Sequence, residues 1–165
     1  MAKTLYIVRH SQASWQQNEV DFDRSLTETG KMEAKWLSQK LKEAGIVPDI
    51  WISSSAKRAH ETLEIFHENL VDFSPKIELK QELYHADVQT LLKTVEKIDN
   101  SYNSAIIFGH NPGLQEFIEY LSNVYIVDVA TSTFYEIEFP NADQWMEISE
   151  GTGEIKQVIA PQLID

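Results

Sequence analysis

Apolar positions along the chain follow two periods. Leu5-Tyr6-Ile7-Val8 is an unbroken apolar run that meets Arg9-His10, and Ile50-Trp51-Ile52 runs into Ser53-Ser54-Ser55. Ser104 to Phe108 is a third such run and meets Gly109-His110. Short continuous runs of this kind predict strands buried on both faces. Between them the period lengthens. Ala34, Leu37, Leu41 and Ala44 predict a helix from about Glu28 to Ala44, opened by Thr27 as a cap and stopped by Gly45. Ala59, Leu63, Phe66 and Leu70 predict a second helix, 56–70. Val88, Leu91, Leu92, Val95 and Ile98 predict a third, and Leu114, Phe117, Ile118 and Leu121 a fourth, with Pro112 at its opening. Lys76 to Leu79 reads as an amphipathic strand, followed by a loop from Gln81 to His85.

The tail changes character. Thr133 to Phe139 alternates, Pro140 to Asp143 turns, and Trp145 to Ile148 is expected to pair back as a hairpin. Gly151-Thr152-Gly153 then turns into Ile155 to Ile159. The order β-α-β-α-β-α-β-α followed by hairpins predicts an α/β fold. Its expected form is a mainly parallel open sheet, helices on both faces, and an antiparallel C-terminal edge. One domain spanning 1–165 is expected. The polar segment 11–25 is a long connection inside it. Gly30, in the first turn of the first helix, is expected either to weaken that turn or to permit close backbone packing.

Composition narrows the function classes. A net charge of −12, from 26 acidic against 14 basic residues, opposes binding to nucleic acid or an anionic membrane. The absence of cysteine excludes disulfides, thiolate metal sites and cysteine nucleophiles. No apolar run approaches membrane-spanning length, and the first strand starts too early to leave room for a signal peptide. A cytoplasmic protein is expected.

An acidic chain that handles an anion must concentrate its few cations. If the sheet is parallel, the strand ends carrying Arg9-His10 and Gly109-His110 share a rim with the helix start carrying Arg58. A cation in the first turn of a helix opposes the dipole, which suggests placement for a ligand. The serines 53–55, at a strand–helix turn, add hydroxyl donors and free N–H groups. Two imidazoles with two guanidiniums disfavour a metal cation and fit a tetrahedral phosphate. A neutral histidine nitrogen can take a phosphoryl group, and the leaving atom then needs a proton from a nearby acid.

At these residues the chain resembles the histidine phosphatase superfamily (phosphoglycerate mutase-like), and within it the small SixA-type phosphohistidine phosphatases. The matching pieces are Leu5-Tyr6-Ile7-Val8-Arg9-His10, Arg24 to Gly30, Ser54 to Thr62, Glu82-Leu83, and Phe108 to Leu114. The resemblance implies that His10 is the phosphoryl acceptor and that Arg9, Arg58 and His110 complete the phosphate pocket. It offers two proton donors: Glu82, favoured, and Asp21 as the alternative. Two departures stand out: Ser11 follows the histidine where the family usually has glycine, and Ser25 stands where it usually has proline. Ser11 is expected to narrow the pocket or add a donor, and Gln16, after Trp15, to bind phosphate.

The implied function is that of a hydrolase, a metal-independent phosphatase needing no cofactor. Its partner is a protein phosphohistidine or a small exposed phosphomonoester. The alternative is a catalytically weak phosphate- or phosphoprotein-binding module of the same fold. His60 and His67 are read as surface or packing residues. His85 is read as a solvated loop residue, with a place on the rim of the site as the alternative.

Overall fold

The two apolar runs that meet a histidine become neighbouring parallel strands. In the computed structural model, which describes residues 2–16, 18–70, 72 and 74–161, β1 (Lys3–Arg9) pairs with β4 (Ser104–Gly109) in a register that sets Arg9 opposite Gly109. β4 also pairs with β2 (Ile50–Ser54), and β2 with β3 (Lys76–Lys80), all parallel. β5 (Phe134–Phe139) and β6 (Glu154–Ile159) continue antiparallel from β1, giving the order β3-β2-β4-β1-β5-β6. The expected α/β architecture with an antiparallel C-terminal edge is the observed one.

Period-two alternation sorts each strand's side chains between two helical layers. Leu5, Ile7, Ala105 and Ile107 face α3 (Val88–Glu96) and α4 (Gly113–Ser122), meeting Leu91, Val95, Phe117 and Leu121. Val8, Ile106 and Phe108 face the opposite way, onto α1 (Glu28–Glu43) and α2 (Lys57–Asn69), meeting Leu37, Leu41, Leu63 and Phe66. The central strands are therefore apolar at every step because both faces are covered. At the far end of β1, Lys3 is buried yet satisfied: its ammonium donates to the carbonyls of Asn100 and Tyr102, both at 2.9 Å, and to Asn103 Oδ1.

Three local expectations change. Trp145–Glu147 is a 3-10 turn, not a hairpin strand. Its indole is buried with Nε1–H donating to Tyr102 O, while Glu147 Oε1 accepts the Asp143 and Gln144 N–H groups, so β6 takes the ladder beside β5 instead. β2 runs through Ser53 and Ser54 because both are fully buried and find partners inside the fold. The Ser53 hydroxyl donates to Ser54 O, and Ser54 Oγ accepts the Ala56 N–H, so neither serves an open anion cradle. Pro112 caps α4 rather than occupying its first turn.

The 11–25 connection is pinned to α1 by a close backbone approach. Thr27 N–H donates to Gln12 O at 3.0 Å, Ala13 bridges to Leu26, and Glu61 Oε1 of α2 accepts the Leu26 N–H. Gly30 is what permits this approach: a Cβ there would lie 2.1 Å from Gln12 O. That contact is with backbone, so it cannot be relieved by a side-chain rotation. Gly30→Ala is expected to lower the unfolding free energy by about 2 kcal/mol or more, read from urea denaturation; a loss below about 0.5 kcal/mol would contradict the packing described.

Candidate active site

Because β1 and β4 are in register, the residue after each is delivered to the same place. His10 N–H donates to Gly109 O at 3.0 Å, and the His10 and His110 rings lie 5.2 Å apart. Both imidazoles are buried, at 7% and 5% exposure. They line a hollow of about 300 Å³ with Arg9, Asp21, Arg24 and Arg58, and the hollow's rim includes Trp15, His85 and Thr131.

The hydrogen bonds assign the tautomers. His10 Nδ1 lies 2.7 Å from Ser11 O, an acceptor, so Nδ1 carries the proton and Nε2 keeps its lone pair. That lone pair accepts from Arg58 Nε–H at 3.3 Å. His110 Nε2 lies 2.8 Å from Ser54 Oγ. Among the described residues the buried Ser54 hydroxyl has no acceptor other than His110 Nε2, so it donates there, which leaves the His110 N–H on Nδ1. Arg9 holds Val129 O through one terminal nitrogen at 2.8 Å. Arg9 Nε and His110 Nδ1 are buried polar atoms with no hydrogen-bond partner among the described residues. Buried donors of this kind need an acceptor, and an oxyanion in the hollow is one that both residues can reach.

Arg58 is buried to 3% exposure and reaches in three directions. Besides His10, it donates to Asp21 O at 2.7 Å and to Asp21 Oδ2 at 3.2 Å. Asp21, in a 3-10 turn of the 11–25 connection, also accepts from Arg24 at 3.0 Å and from the Tyr84 hydroxyl. Arg24 Nε donates to Ser14 O, and its guanidinium lies 3.3 Å from the centroid of the Trp15 ring, which is 81% exposed.

Burial, then the repulsion of Arg58, Arg9 and Arg24 against a partly offsetting bond to Ser11, lowers the His10 pKa to about 3. Burial followed by the charges of His10 and Arg58 lowers that of His110 likewise. The Tyr84 hydroxyl first, then Arg24 and Arg58, hold the Asp21 carboxyl well below the usual carboxylate range, against the opposing effect of its burial.

Of the residues singled out in the sequence, Arg9, His10, Asp21, Arg58 and His110 are brought together. Glu82 is not. It is exposed in a 3-10 turn (Gln81–Leu83) and lines a separate hollow with Lys80, Lys93 and Lys97. Ser11 lies behind the site: it is fully buried, its N–H donates to Thr62 Oγ1, and its Oγ accepts from Ser132. It therefore neither narrows the hollow nor offers it a hydroxyl, and its backbone is outside the left-handed region that calls for glycine. Gln16 is exposed and away from the hollow's lining. His60 stands beside Glu64, and His67 edges against Trp51.

Sequence reasoning passed over Arg24 and Tyr84 and undervalued His85. β3 is parallel to β2, so the segment after it reaches the same rim, and a Tyr-His pair there was a usable signal.

These protonation states link stability to pH. Both histidines are neutral when folded and take up protons when unfolded below about pH 6.5. The unfolding free energy should therefore fall with decreasing pH between about 6 and 4, by about 1.4 kcal/mol per pH unit for each histidine. Asp21 adds a loss at lower pH still, as its carboxylate is protonated. Urea titrations at pH 7, 6 and 5 are expected to show this slope, and His110→Asn to remove about half of it. An unchanged slope in that variant would contradict the assignment.

Residues 5–106 match the histidine phosphatase superfamily (branch 1). An uncharacterized chloroplastic protein of Arabidopsis thaliana is 30% identical over 135 residues, covering 76% of this chain and 62% of that protein. A 2,3-bisphosphoglycerate-dependent phosphoglycerate mutase of Mesorhizobium japonicum is 40% identical over 67 residues, covering 39% of this chain and 32% of the mutase. The chain thus spans less than two thirds of the length of these relatives. Among solved structures, a protein of Nakamurella multipartitia assigned as a phosphohistidine phosphatase SixA superposes with a TM-score of 0.85 at 23% identity, covering 98% of this chain and 97% of that one. The protein histidine phosphatase SixA complexed with tungstate superposes with a TM-score of 0.83 at 20% identity, covering 98% and 99%. At those identities the superpositions establish a shared fold. With the family match covering more than half of its length, the chain belongs to branch 1 of the histidine phosphatase superfamily.

Proposed function

We propose that this protein is a phosphatase that works without a metal, through a covalent phosphohistidine on His10, on a protein phosphohistidine or a small exposed phosphomonoester. The observation that carries the reading is the state of His10. Its Nδ1 proton is committed to Ser11 O, its Nε2 lone pair faces the hollow, and a guanidinium stands beside that lone pair. A neutral imidazole so oriented is a nucleophile at neutral pH without needing a base. Arg9, Arg58 and His110 would receive the three outer phosphoryl oxygens, and preorganised donors gain most as charge develops on those oxygens in transfer. That a SixA structure of the same fold holds tungstate, a tetrahedral oxyanion, is consistent with this use of the pocket.

The half-reactions follow. His10 Nε2 attacks phosphorus, the bond to the leaving atom breaks, and that atom takes a proton from the rim. Water then attacks the phosphohistidine, the P–N bond breaks, and its electron pair returns to Nε2. The proton chemistry belongs on the side of the hollow where Asp21 and His85 lie, not at Glu82. The exposed Trp15 at the mouth leaves the phosphate side of the hollow reachable by a bulky substrate.

Hydrolysis of an activated aryl phosphate tests the reading. Wild type is expected to turn over, and His10→Ala to lose at least about a thousandfold in kcat/KM. A wild type as inactive as His10→Ala, yet still binding inorganic phosphate, would favour a binding module and contradict the enzyme. Arg58→Ala should cost about a hundredfold or more, whereas Lys57→Ala, on the exposed side of the same turn, and Glu82→Gln should each stay within about twofold of wild type. A large loss in Glu82→Gln would restore it as the acid.

A further inference from the structure

The group that meets the leaving atom is not identified by the phosphate pocket itself. Asp21 is the carboxylate among the described residues that line the hollow, and donors hold both of its oxygens. Arg24 and Arg58 hold its two oxygens, the Tyr84 hydroxyl donates to Oδ2, and His85 Nε2 lies 3.4 Å from that same oxygen. A carboxylate gripped in this way is an anion that orients its neighbours and has no proton of its own to give.

His85 has the opposite character. It lines the hollow, its side chain is about half exposed, and its ring packs 4.1 Å from Tyr84 and 5.7 Å from His110. Its backbone sits in the left-handed region, with φ at 54°, where a non-glycine residue is uncommon. The fold holds that conformation from both sides. Tyr84 is tied to Asp21, and Ala86 is pressed on α4, where a Cβ on Gly113 would lie 2.0 Å from Ala86 O. A backbone outlier fixed by its surroundings beside a reactive pocket points to a role for the side chain it presents.

We propose that His85 is the acid–base residue of the reaction, and that Asp21 is the positioning carboxylate that orients it, an arrangement that rests on the His10 phosphatase reading above. The Asp21 carboxylate faces Nε2, which leaves Nδ1 for the leaving group. In the first half-reaction His10 Nε2 forms the P–N bond and the bond from phosphorus to the leaving oxygen breaks. The electron pair stays on that oxygen, which takes the Nδ1 proton and departs as the alcohol. His85 is then neutral. In the second half-reaction water gives a proton to Nδ1 as its oxygen bonds phosphorus, the P–N pair returns to His10, and inorganic phosphate leaves with His85 again protonated. Imidazole can donate a proton in one form and accept one in the other, which suits a group that must both give and take a proton. The charged and titratable groups facing His85 are Asp21, Tyr84 and His110, with Arg58 beneath the Tyr84 ring.

The test compares two substrates, phenyl phosphate, whose leaving group needs a proton, and 2,4-dinitrophenyl phosphate, whose leaving group does not. His85→Asn suits it because asparagine adopts the left-handed backbone readily. The variant is expected to lose about a hundredfold in kcat/KM on phenyl phosphate and at least tenfold less than that on the dinitrophenyl ester. The basic limb of the phenyl phosphate pH profile should disappear with it, and added imidazole should restore part of the rate. Inhibition by inorganic phosphate should keep its wild-type strength, which separates lost proton transfer from a damaged pocket. Equal losses on the two esters, or an unchanged pH limb, would overturn the proposal. So would a leaving-group-dependent loss in Asp21→Asn with none in His85→Asn. If instead wild type hydrolyses neither ester, or His10→Ala hydrolyses both as well as wild type does, the His10 reading itself fails.

Discussion

The arrangement of the site depends on one buried guanidinium. Arg58 enters from the first turn of α2, is almost wholly withdrawn from solvent, and meets three acceptors: His10 Nε2, the Asp21 carbonyl and the Asp21 carboxylate. A buried cation is tolerable only with compensating partners, so the 11–25 connection must fold back over α2 to supply Asp21. Gly30 and Glu61 make that return possible, one by leaving room for Gln12 O and the other by accepting the Leu26 N–H. The requirement to neutralise one arginine thus links a helix start, a long polar connection and the end of the central strand.

Around this centre, small polar side chains position the histidines without entering the hollow. Ser54 sets the His110 tautomer. Thr62 donates its hydroxyl to Arg58 O and accepts from the Ser11 N–H, joining α2 to the residue after His10. Ser132, with φ at 60°, sends its N–H to the carbonyls of Arg9 and His10 and its hydroxyl to Ser11. The serine where the family usually carries glycine is therefore one partner in a buried hydroxyl pair. The chain is strongly acidic overall, yet all three of its arginines line this hollow. Burial first, and then this local reversal of sign, keep both imidazoles neutral, and the positive lining would hold a phosphate dianion against the net charge.

Much of this is legible in the sequence. Unbroken apolar runs marked the central strands, because strands covered on both faces need apolar residues at every step. Their common polarity brought His10, His110 and Arg58 to one rim. What the sequence could not convey was which loop residues reach that rim. Glu82 and Asp21 are both acids in polar segments, and their different fates depend on tertiary contacts: Tyr84 and two arginines draw Asp21 in, while the 3-10 turn after β3 points Glu82 toward lysines on another face. Trp145 to Ile148 misled for a similar reason. Its alternation resembles a strand, but the indole is fixed to Tyr102 O from the interior and β6 takes the place beside β5.

In the proposed reaction the phosphoryl group passes through a bond to His10. Rapid quenching of the enzyme after brief mixing with a ³²P-labelled phosphodonor tests it most directly. A phosphohistidine on His10 should give a labelled protein whose bond is lost in acid and survives alkali, with the label mapped to His10 and absent from His10→Ala. Label retained by His10→Ala, or a phosphoprotein that resists acid, would contradict it.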